Sequence, residues 1–569
     1  MFHTLLTAAI VTTALLGCSR QDAEAPVNAP ETEAQPKRPN VVLILADDLG
    51  YSDLGSYGGE IRTPNLDALA ASGMQMTNFH VGPTCSPTRA MLLSGTDNHL
   101  AGLGTMNGME SPEQKGQPGY ETFLNHNIVT FVRLLRDAGY HTYMAGKWQQ
   151  GYTPDLYPPK RGFEESFWLL QGGASHFADA AGIVSGGPKA IYHEDMTPVQ
   201  QLPEDFYSSD YYTDKLIEYI DKNHGDGQPF FLYAAYTAPH WPLHAPEAAS
   251  AKYDGVYDAG YDDIHEKRVA RMRELKLLRP DVPPAPNHPA WPGWDELSEE
   301  QKAAEARRME IYAAMVELLD ENIGRLLAHL DNIGELDSTL VMFFSDNGAE
   351  GNNPLDLEKN SEWIPATFDN SLGNLGASGS YTSVGPGWAH VSSIPFSLHK
   401  SFPSQGGLVV PAIASFPGRI PEGQRSGAFA SVLDVAPTLL SLAGVEHPGT
   451  SYQGRDVHPL KGQSMLPFLT GEAEAVHGED FVMGWELFNR RAVRKGNWKI
   501  LWTNAPWGKD AWALYDLVTD PGEQDDLSAQ RPEKLAEMIT LWDQYAEEHG
   551  VIVLDELKMG YSNSTSHYD

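Results

Sequence analysis

The chain has 569 residues, more than one hydrophobic core usually supports, so its length predicts one large domain and a smaller one. Its 76 acidic residues against 40 basic ones give a formal net charge of −36. This balance excludes nucleic acid as a partner, because duplex binding requires cations that neutralise phosphates, and it argues against charge-driven binding to an anionic membrane. The expected surface is acidic and solvated, so an anionic substrate needs a locally positive pocket.

The first eighteen residues have the pattern of an export signal. Their apolar run is too short to span a bilayer and ends in small residues. The sequence Leu15-Leu16-Gly17-Cys18 resembles a bacterial lipobox, which implies cleavage before Cys18 and lipid attachment to its thiol. Residues 19–38, rich in Pro, Ala and Glu, predict a disordered tether. We therefore expect an exported lipoprotein at the periplasmic face or in the outer membrane, held to the membrane only by its lipid anchor.

The next part of the chain alternates between strand and helix patterns. Four apolar runs have the length of buried parallel strands, at residues 41–46, 140–145, 230–236 and 340–345. Thr63-Pro64 begins one helix that Gly73 ends, and a longer helix runs from about residue 300 to 330. The alternation predicts an α/β domain over residues 39–474, with a large, mostly parallel sheet flanked by helices.

Residues 475–569 have a different pattern. Short strand candidates lie at 492–494, 498–502 and 512–517, with a hairpin turn at Gly496-Asn497. A closing helix has Leu535, Met538, Trp542 and Tyr545 at helical spacing. These signals predict a small C-terminal α+β domain, made of an antiparallel sheet and one helix.

Polar residues follow each of the four strand candidates: Asp47 and Asp48, Lys147, His240, and Asp346 and Asn347. Because ligands bind outside the carboxyl ends of parallel strands, we expect these residues to converge on one pocket. The acids and the asparagine supply only oxygen ligands, a set that suits Ca²⁺ or Mg²⁺ better than zinc. Taken singly, each residue has a simpler interpretation: the acids as helix caps, the histidine as a core residue, the lysine as a surface charge.

Cys85 precedes Pro87 and a run of apolar residues, which places it at the N-terminus of a buried helix. A buried structural cysteine is one interpretation, and a thiolate nucleophile activated by the helix end and Arg89 is another. The chain has only two cysteines, so a lipidated Cys18 leaves Cys85 without a disulfide partner. The alternative, a disulfide joining the tether to the core, would stabilise little.

The stretch from Cys85 to Gly95 resembles the sulfatase signature, in which Cys-x-Pro-x-Arg directs oxidation of the cysteine to formylglycine. The resemblance is to the formylglycine-dependent sulfatases of the alkaline phosphatase superfamily, above all to bacterial arylsulfatases. It covers most of the chain after residue 39, through the segments PNVVLILADDLGYSDLGSYGG, TPNLDALAASG, AGYHTYMAGKW, APHWPL, FFSDNGAEG and GWELFNRRAVRKGNWK.

The resemblance implies a role for each residue that matches the family pattern. It implies that Arg89 holds the formylglycine, that Lys147 and Lys400 bind sulfate, and that His240 faces the leaving oxygen. The implied ligands of one calcium ion are Asp47, Asp48, Asp346 and Asn347. The implied substrate is a sulfate ester, and the implied partner is a formylglycine-generating or sulfatase-maturating enzyme. In the implied cycle, one hydroxyl of the hydrated aldehyde attacks sulfur while the alcohol departs, and the other hydroxyl then expels sulfate.

Gln149 departs from the family pattern, because Gly-Lys-Trp-His appears here as Gly-Lys-Trp-Gln. The family histidine assists the second step, and an amide cannot act as a general base near neutral pH. The enzyme then turns over slowly, passes the proton to a nearby histidine or water, or binds sulfate esters without completing catalysis. We favour an active but modified sulfatase, since the other matched residues are present. A milder departure is Gln405 in place of a glutamate.

Two other functions remain open on the sequence. One is a phosphate or phosphonate ester hydrolase on the same scaffold, although Asn347 beside Asp346 favours one metal ion over a two-metal site. The other is a non-catalytic lipoprotein that captures sulfated glycans, suggested by Gln149. Trp148, Trp241 and residues 278–294 are candidates to line an apolar entrance. The acidic surface favours small aryl or alkyl sulfates over highly sulfated polymers.

Overall fold

The structure, a computed structural model, describes residues 38–187, 189–555 and 566–568. The predicted export signal, the lipidation site Cys18 and residues 19–37 of the predicted tether lie outside the described residues. Within those ranges, no helix combines the length and the apolar character needed to cross a membrane.

Most strands of the described residues belong to one large mixed sheet. Its members, numbered in chain order, are β1 (Asn40–Ala46), β2 (Met74–His80), β3 (His141–Lys147), β4 (Glu165–Leu169), β5 (Tyr192–Glu194), β6 (Thr197–Pro198), β7 (Phe230–Ala235), β8 (Thr339–Ser345), β9 (Val409–Ser415), β10 (Gln424–Ser426) and β11 (Ala430–Ser431). The strands lie in the order β10-β2-β9-β8-β1-β7-β3-β4-β5-β6, and β11 also pairs with β2.

The centre of this sheet is parallel. Strands β8, β1, β7, β3 and β4 all run in one direction, and β10 and β11 run parallel to β2. The antiparallel pairs are β2 with β9, β9 with β8, β4 with β5, and β5 with β6. The prediction of a mostly parallel sheet is therefore confirmed.

Helices lie on both faces of the main sheet, and the last helix packs on a separate C-terminal sheet. Numbered in chain order, they are α1 (Pro64–Ala71), α2 (Cys85–Ser94), α3 (Phe131–Asp137), α4 (Pro158–Arg161), α5 (Ser208–Asn223), α6 (Glu247–Ser250), α7 (Gly260–Glu274), α8 (Glu299–Asn332), α9 (Glu358–Thr367), α10 (Pro386–Ser392), α11 (Gln405–Leu408), α12 (Val435–Ala443), α13 (Leu466–Leu469) and α14 (Pro532–His549).

The core has two halves, one on each face of the sheet. In β1, Val42 and Ile44 contact the half that contains the buried stripe of α8, whereas Val41, Leu43 and Leu45 contact the half that contains α2 and α12. Every residue of β1 is buried. A strand covered on both faces has a continuous apolar sequence, which is why the runs at 41–46 and 340–345 could be recognised without any alternation.

One predicted boundary differs from the structure, for a steric reason. Helix α1 ends at Ala71 with Ser72 as its cap, so Gly73 does not end the helix. A Cβ atom at Gly73 would lie 2.2 Å from the carbonyl oxygen of Ala414 in β9. The glycine therefore allows the start of β2 to approach β9 closely.

The C-terminal residues form a separate four-stranded antiparallel sheet, as predicted. Its strands are β14 (Val482–Leu487), β15 (Arg490–Lys495), β16 (Trp498–Thr503) and β17 (Ala511–Asp516), and a small hairpin of β12 (Ser451–Tyr452) and β13 (Arg455–Asp456) precedes it. Helix α14 packs on this sheet through Met538, Trp542 and Tyr545.

Strand β14 was not predicted. Its residues after Val482 are all buried, because Met483 and Trp485 pack into the core of the main sheet while the strand also pairs with β15. The indole nitrogen of Trp485 donates a hydrogen bond to the carbonyl oxygen of Val81, 3.0 Å away. A strand with so little exposed surface lacks the alternation by which the other C-terminal strands were recognised.

A buried ionic network also joins this sheet to the main domain. His99 Nδ1 lies 3.0 Å from Asp97 Oδ1, and His99 Nε2 lies 3.2 Å from Glu486 Oε2 in β14. The hydroxyl of Tyr545 in α14 donates to Asp97 Oδ2 at 2.8 Å. Burial alone would lower the pKa of His99, but its hydrogen bonds to Asp97 and Glu486 outweigh burial and raise the pKa to about 9.

This network predicts a pH-dependent stability. Because folding raises the pKa of His99 above 6.5, its contribution is complete below about pH 6.5 and is lost as the pH rises through about 9. We expect His99→Gln to lower the free energy of unfolding by roughly 3 kcal/mol at pH 6. Denaturant unfolding of both proteins from pH 6 to 9.5 should show the difference shrinking, whereas the exposed His224→Gln control should change little. A constant difference across this range would contradict a charged His99.

Candidate active site

The predicted convergence of polar residues is confirmed at the carboxyl edge of the main sheet. Strands β8, β1, β7 and β3 are neighbours in that order. Asp346 and Asn347 follow β8, Asp47 and Asp48 follow β1, His240 lies in the loop after β7, and Lys147 is the last residue of β3. All six side chains are buried. Residues about three hundred positions apart are therefore brought together by strand order alone.

Cys85 is the first residue of α2 and lies beside the acids that follow β1. Its Sγ is 3.4 Å from Asp47 Oδ1 and 3.8 Å from Asp48 Oδ1. The ligand atoms of Asp47, Asp48, Cys85 and His240 all lie within 4.8 Å of one another. Cys85 is a free cysteine, while its predicted alternative partner Cys18 lies outside the described residues.

Burial raises the pKa of the Cys85 thiol well above its usual value, and the nearby carboxylates of Asp346 and Asp47 raise it further. Lys147 and Lys400 act in the opposite direction but do not outweigh these effects. The thiol is therefore protonated near neutral pH, although it lies at the first turn of a helix. This environment argues against an ordinary thiolate nucleophile, which needs a lowered pKa.

Each of the three buried aspartates of the site is paired with a different cation. Lys147 Nζ lies 2.7 Å from Asp47 Oδ2, and Lys400 Nζ lies 2.8 Å from Asp48 Oδ1. Arg89 Nη2 lies 2.8 Å from Asp346 Oδ2, and its Nη1 donates to the carbonyl oxygen of Lys147 at 3.3 Å. The pairs explain how like charges are tolerated in a buried site.

Glu350 is a site residue that the sequence analysis did not single out. Its Oε2 lies 2.7 Å from Lys400 Nζ and accepts a hydrogen bond from the indole nitrogen of Trp241 at 3.1 Å. Glu350 therefore connects the sulfate-binding lysine candidate to the loop that carries His240. Its presence in the segment FFSDNGAEG, three residues after Asn347, was the available signal.

The site has a deficit of positive charge. Its described acids are Asp47, Asp48, Asp346 and Glu350, and its described bases other than histidine are Lys147, Lys400 and Arg89. Burial and the neighbouring Asp47 raise the pKa of Asp346 to about 6 despite Arg89. Burial has the same tendency at Asp48, but Lys400, His240 and Lys147 outweigh it and hold the pKa of Asp48 well below its usual value.

Asn347 provides a specific sign of a cation site. Its Nδ2 donates to Asp48 Oδ1 at 2.7 Å, which turns its Oδ1 in another direction. That Oδ1 is buried and has no hydrogen-bond partner. A buried unpaired carbonyl oxygen is costly unless a ligand completes it. The oxygen atoms of Asp47, Asp48, Asp346 and Asn347 therefore fit a hard cation such as Ca²⁺ or Mg²⁺.

His240 is neutral in this environment. Burial lowers its pKa to about 4, although Asp48 acts in the opposite direction. Its Nδ1 lies within hydrogen-bonding distance of the carbonyl oxygen of Trp241, which can only accept, so Nδ1 carries the proton. The unprotonated Nε2 lies 3.6 Å from Asp48 Oδ2. The histidine thus presents a proton acceptor to the site.

A cavity of about 320 Å³ opens above Cys85, and most of its walls are apolar. Among the described residues, the polar part of its lining includes Cys85, His240, Lys400 and Gln149. The apolar side chains are those of Met106, Met109, Tyr152, Leu170, Ile183, Val184, Ile191, Trp241 and Leu357. The cavity therefore has apolar walls and a polar floor, which is formed by Cys85, His240, Lys400 and Gln149.

The predicted apolar entrance is correct for Trp241 and wrong for the other candidates. Trp148 is buried against Phe163, and its indole nitrogen donates to the carbonyl oxygen of Leu156 at 3.0 Å. Residues 278–294 are likewise absent from the described lining. The actual walls come from loops, where sequence patterns do not indicate side-chain direction.

Gln149 lines the same cavity. Its backbone has a φ of 53°, in the left-handed region, and its Oε1 is buried without a hydrogen-bond partner. A Cβ atom at Gly172 would lie 2.4 Å from its Nε2, so the glycine makes room for this amide. An amide at this position offers hydrogen bonds to a ligand but no proton transfer.

The second departure, Gln405, lies outside this cavity. Its Oε1 is 3.2 Å from Lys499 Nζ and 3.3 Å from His80 Nε2. Lys499 Nζ also pairs with Glu523 Oε1 at 2.6 Å, so Glu523 supplies the carboxylate that a glutamate at 405 would bring. This departure therefore does not bear on the chemistry at Cys85.

Comparison with known proteins gives a consistent assignment. A model of the sulfatase family matches residues 39–445, and a model of the N-sulphoglucosamine sulphohydrolase C-terminal region matches residues 398–547. An uncharacterised sulfatase of Schizosaccharomyces pombe is 45% identical over 530 residues, which cover 91% of this chain and 95% of the relative. An arylsulfatase of Klebsiella aerogenes is 39% identical over 433 residues, covering 76% and 92%.

The fold is also shared with solved sulfatase structures. The crystal structure of Ps i-CgsB in complex with a neocarrahexaose superposes with a TM-score of 0.64 at 24% identity, covering 90% of this chain and 93% of that one. This likeness concerns the fold alone. The family match over residues 39–445 and the similarity to the Klebsiella aerogenes arylsulfatase show that the chain belongs to the sulfatase family and is a hydrolase of sulfuric esters.

Proposed function

We propose that the chain hydrolyses sulfate esters through a formylglycine made from Cys85, beside one calcium ion. The observation that carries the proposal is that Cys85, which lines the cavity, lies beside the buried carboxylates of Asp47 and Asp48. Asp346 and Asn347 are hydrogen-bonded to Asp48 and complete a buried set of oxygen donors. The unpaired Oδ1 of Asn347 supports a cation at this position, and Mg²⁺ is the alternative ion. Zinc suits a set of oxygen donors less well, because it prefers nitrogen and sulfur ligands.

The two groups would supply complementary chemistry. A hydrated aldehyde at position 85 supplies a hydroxyl nucleophile, and a divalent cation held by Asp47, Asp48, Asp346 and Asn347 neutralises charge on the sulfuryl oxygens. Lys400 lines the cavity and is placed to bind one of those oxygens. Lys147 and Arg89 are absent from the described lining of the cavity, and their ion pairs hold the carboxylates of Asp47 and Asp346 in position.

His240 is placed to handle protons. Its Nε2 faces Asp48, and it is the only imidazole among the described residues that line the cavity. Because the Gln149 amide cannot accept a proton, the transfer that a histidine performs at that position goes to His240 or to water. The enzyme is therefore active but slowed in the release of sulfate.

The cavity walls favour an uncharged, apolar leaving group. Lys400 is the only lysine or arginine among the described lining residues, and it is already paired with Asp48 and Glu350. Tyr152 and Val184 line the cavity and are 38% and 44% exposed, so the apolar surface continues to its mouth. We propose aryl or alkyl sulfates as substrates.

We also propose an exported lipoprotein at the periplasmic face or in the outer membrane, anchored through Cys18. The motivation is the lipobox-like sequence at residues 15–18 and the polar stretch that follows it. In this proposal a formylglycine-generating or sulfatase-maturating enzyme oxidises Cys85 before the chain folds, because the folded site buries the thiol.

The nucleophile can be tested directly on purified protein. We expect mass spectrometry of the peptide containing Cys85 to show an aldehyde in place of the thiol, and Cys85→Ala to abolish sulfate release from an aryl sulfate. The matched aryl phosphate should be hydrolysed at least tenfold more slowly, since the site holds donors for one metal ion. An unmodified thiol in a fully active enzyme, or a preference for the phosphate ester, would overturn this mechanism.

The cation can be tested by binding rather than by activity. We expect chelator-stripped protein to bind one equivalent of Ca²⁺ by titration calorimetry, with a rise in Tm. Asn347→Ala should weaken this binding at least tenfold, because it removes an oxygen ligand. The control is Asn107→Ala, an exposed asparagine of the same cavity, which should bind as the parent does. Equal Ca²⁺ affinity in both variants would exclude Asn347 as a ligand.

The role of Gln149 can be tested by restoring the family residue. We expect the parent enzyme to release alcohol in a burst equal to the enzyme concentration, followed by slow turnover. Gln149→His should raise the steady-state rate by about 100-fold, the low end of general base catalysis. Gln171→His, which places an imidazole elsewhere in the same cavity, should not. A parent enzyme without a burst would show that another group already takes the proton efficiently.

A further inference from the structure

A second cavity, of about 390 Å³, is lined by stretches of chain that also reach the active-site cavity. Thr122 lines the active-site cavity and His126 lines the second one. In the same way Tyr152 lines the first and Asp155 the second. Four residues of chain span at most about 14 Å, so the two cavities are near neighbours.

The second cavity, here called the basic cavity, is lined by four strong bases: Arg133, Lys160, Arg161 and Arg455. Asp155 is its only acidic residue among the described lining, and Asp155 Oδ2 already lies 3.3 Å from His126 Nε2. The chain as a whole has 76 acids against 40 bases. The cavity is therefore lined by an excess of bases in a protein whose sequence has an excess of acids.

The three arginines of this group make hydrogen bonds to backbone carbonyl groups. Arg133 Nη2 donates to the carbonyl oxygen of Lys160 at 3.3 Å, and Arg455 Nη2 donates to that of Ile128 at 3.5 Å. Arg161 Nη2 donates to the carbonyl oxygens of Leu124 and Asn125. Carbonyl oxygens satisfy the N–H donors but do not neutralise the charge.

Arg161 is the buried member of the group. It is 5% exposed, and its Nε is buried without a hydrogen-bond partner. Burial and the neighbouring Arg455 lower the pKa of Arg161 to about 10. A buried guanidinium beside a second cation is unfavourable unless an anion completes the site.

We propose that the basic cavity binds a tetrahedral oxyanion, sulfate or phosphate, at a site separate from Cys85. Arg133, Arg161 and Arg455 present planar donor groups, which match the oxygens of such an ion, and Lys160 adds a point charge. The anion is either a free inorganic ion or a second sulfate group of a substrate held at Cys85. The second source rests on the proposed hydrolysis of sulfate esters at Cys85 and would require a leaving group that carries a sulfate, unlike the apolar one proposed above; the first source requires neither.

The site can be tested by titrating the full chain with sodium sulfate, and then with sodium phosphate, at constant ionic strength. We expect one anion to remain bound in Lys400→Ala, which disturbs the active site. Adding Arg133→Ala and Arg455→Ala to that variant should weaken the remaining binding at least tenfold. Both arginines are partly or fully exposed, so the fold should survive, and unchanged unfolding curves would verify this.

The matched control is Arg136→Ala, in the same helix α3. Arg136 donates to the carbonyl oxygen of Phe163 and is absent from the described lining, so its loss should leave anion binding unchanged. Anion binding that Lys400→Ala alone abolishes would overturn the proposal. Binding that persists after loss of both Arg133 and Arg455 would overturn it as well.

A kinetic comparison identifies the source of the anion. With a second substrate sulfate in the basic cavity, the Arg133→Ala/Arg455→Ala variant should lose about tenfold in kcat/KM on a disulfated disaccharide and nothing on a monosulfated one. With a free ion, the two substrates should respond alike, while inorganic sulfate binding is still lost. Both results support the site. The binding experiment needs no turnover, so an inactive enzyme would count against the proposed function only.

Discussion

Three aspartate carboxylates meet at the carboxyl edge of the central strands, and each is paired with a different cation. Neighbouring strands lie about 4.8 Å apart, so residues that follow β8 and β1 are brought together whatever their charge. Lys147, Lys400 and Arg89 make this proximity tolerable by pairing with Asp47, Asp48 and Asp346. Glu350 is a fourth acid and shares Lys400 with Asp48, so the four acids face three cations, and this deficit of one positive charge favours binding of a metal ion.

The same arrangement separates the residues that line the cavity from those that hold the buried carboxylates in position. Lys400, His240 and Cys85 line the cavity, while Lys147 and Arg89 act through the carboxylates they hold. Asp48 has a φ of 70°, a conformation that a residue with a side chain rarely adopts. Such backbone strain is tolerated where the surroundings dictate one position for a group.

The strands that carry the site were predictable because burial on both faces gives a continuous apolar run. Since ligands bind outside the carboxyl ends of parallel strands, the convergence of the residues that follow them could be predicted as well. Glu350 and the walls of the cavity were not predictable by these means. They come from loops, including the one in which Leu398 and Ser401 have positive φ on either side of Lys400. Strand β14 was missed because its burial removes the alternation of apolar and polar residues. Trp148 was wrongly predicted to line the entrance, because its ring packs against Phe163 in the core.

The hydrogen bond from Trp485 to Val81 gives the C-terminal sheet a part in the architecture of the nucleophile. Val81 lies four residues before Cys85, in the segment that leads from β2 into α2. A chain shortened before β14 would leave that carbonyl group without its donor and would uncover the apolar surface that Met483 and Trp485 occupy. Exchange of C-terminal regions between relatives therefore has to preserve this hydrogen bond and the packing of Met483 and Trp485. Without them, the segment that leads into the helix beginning at position 85 loses part of its support.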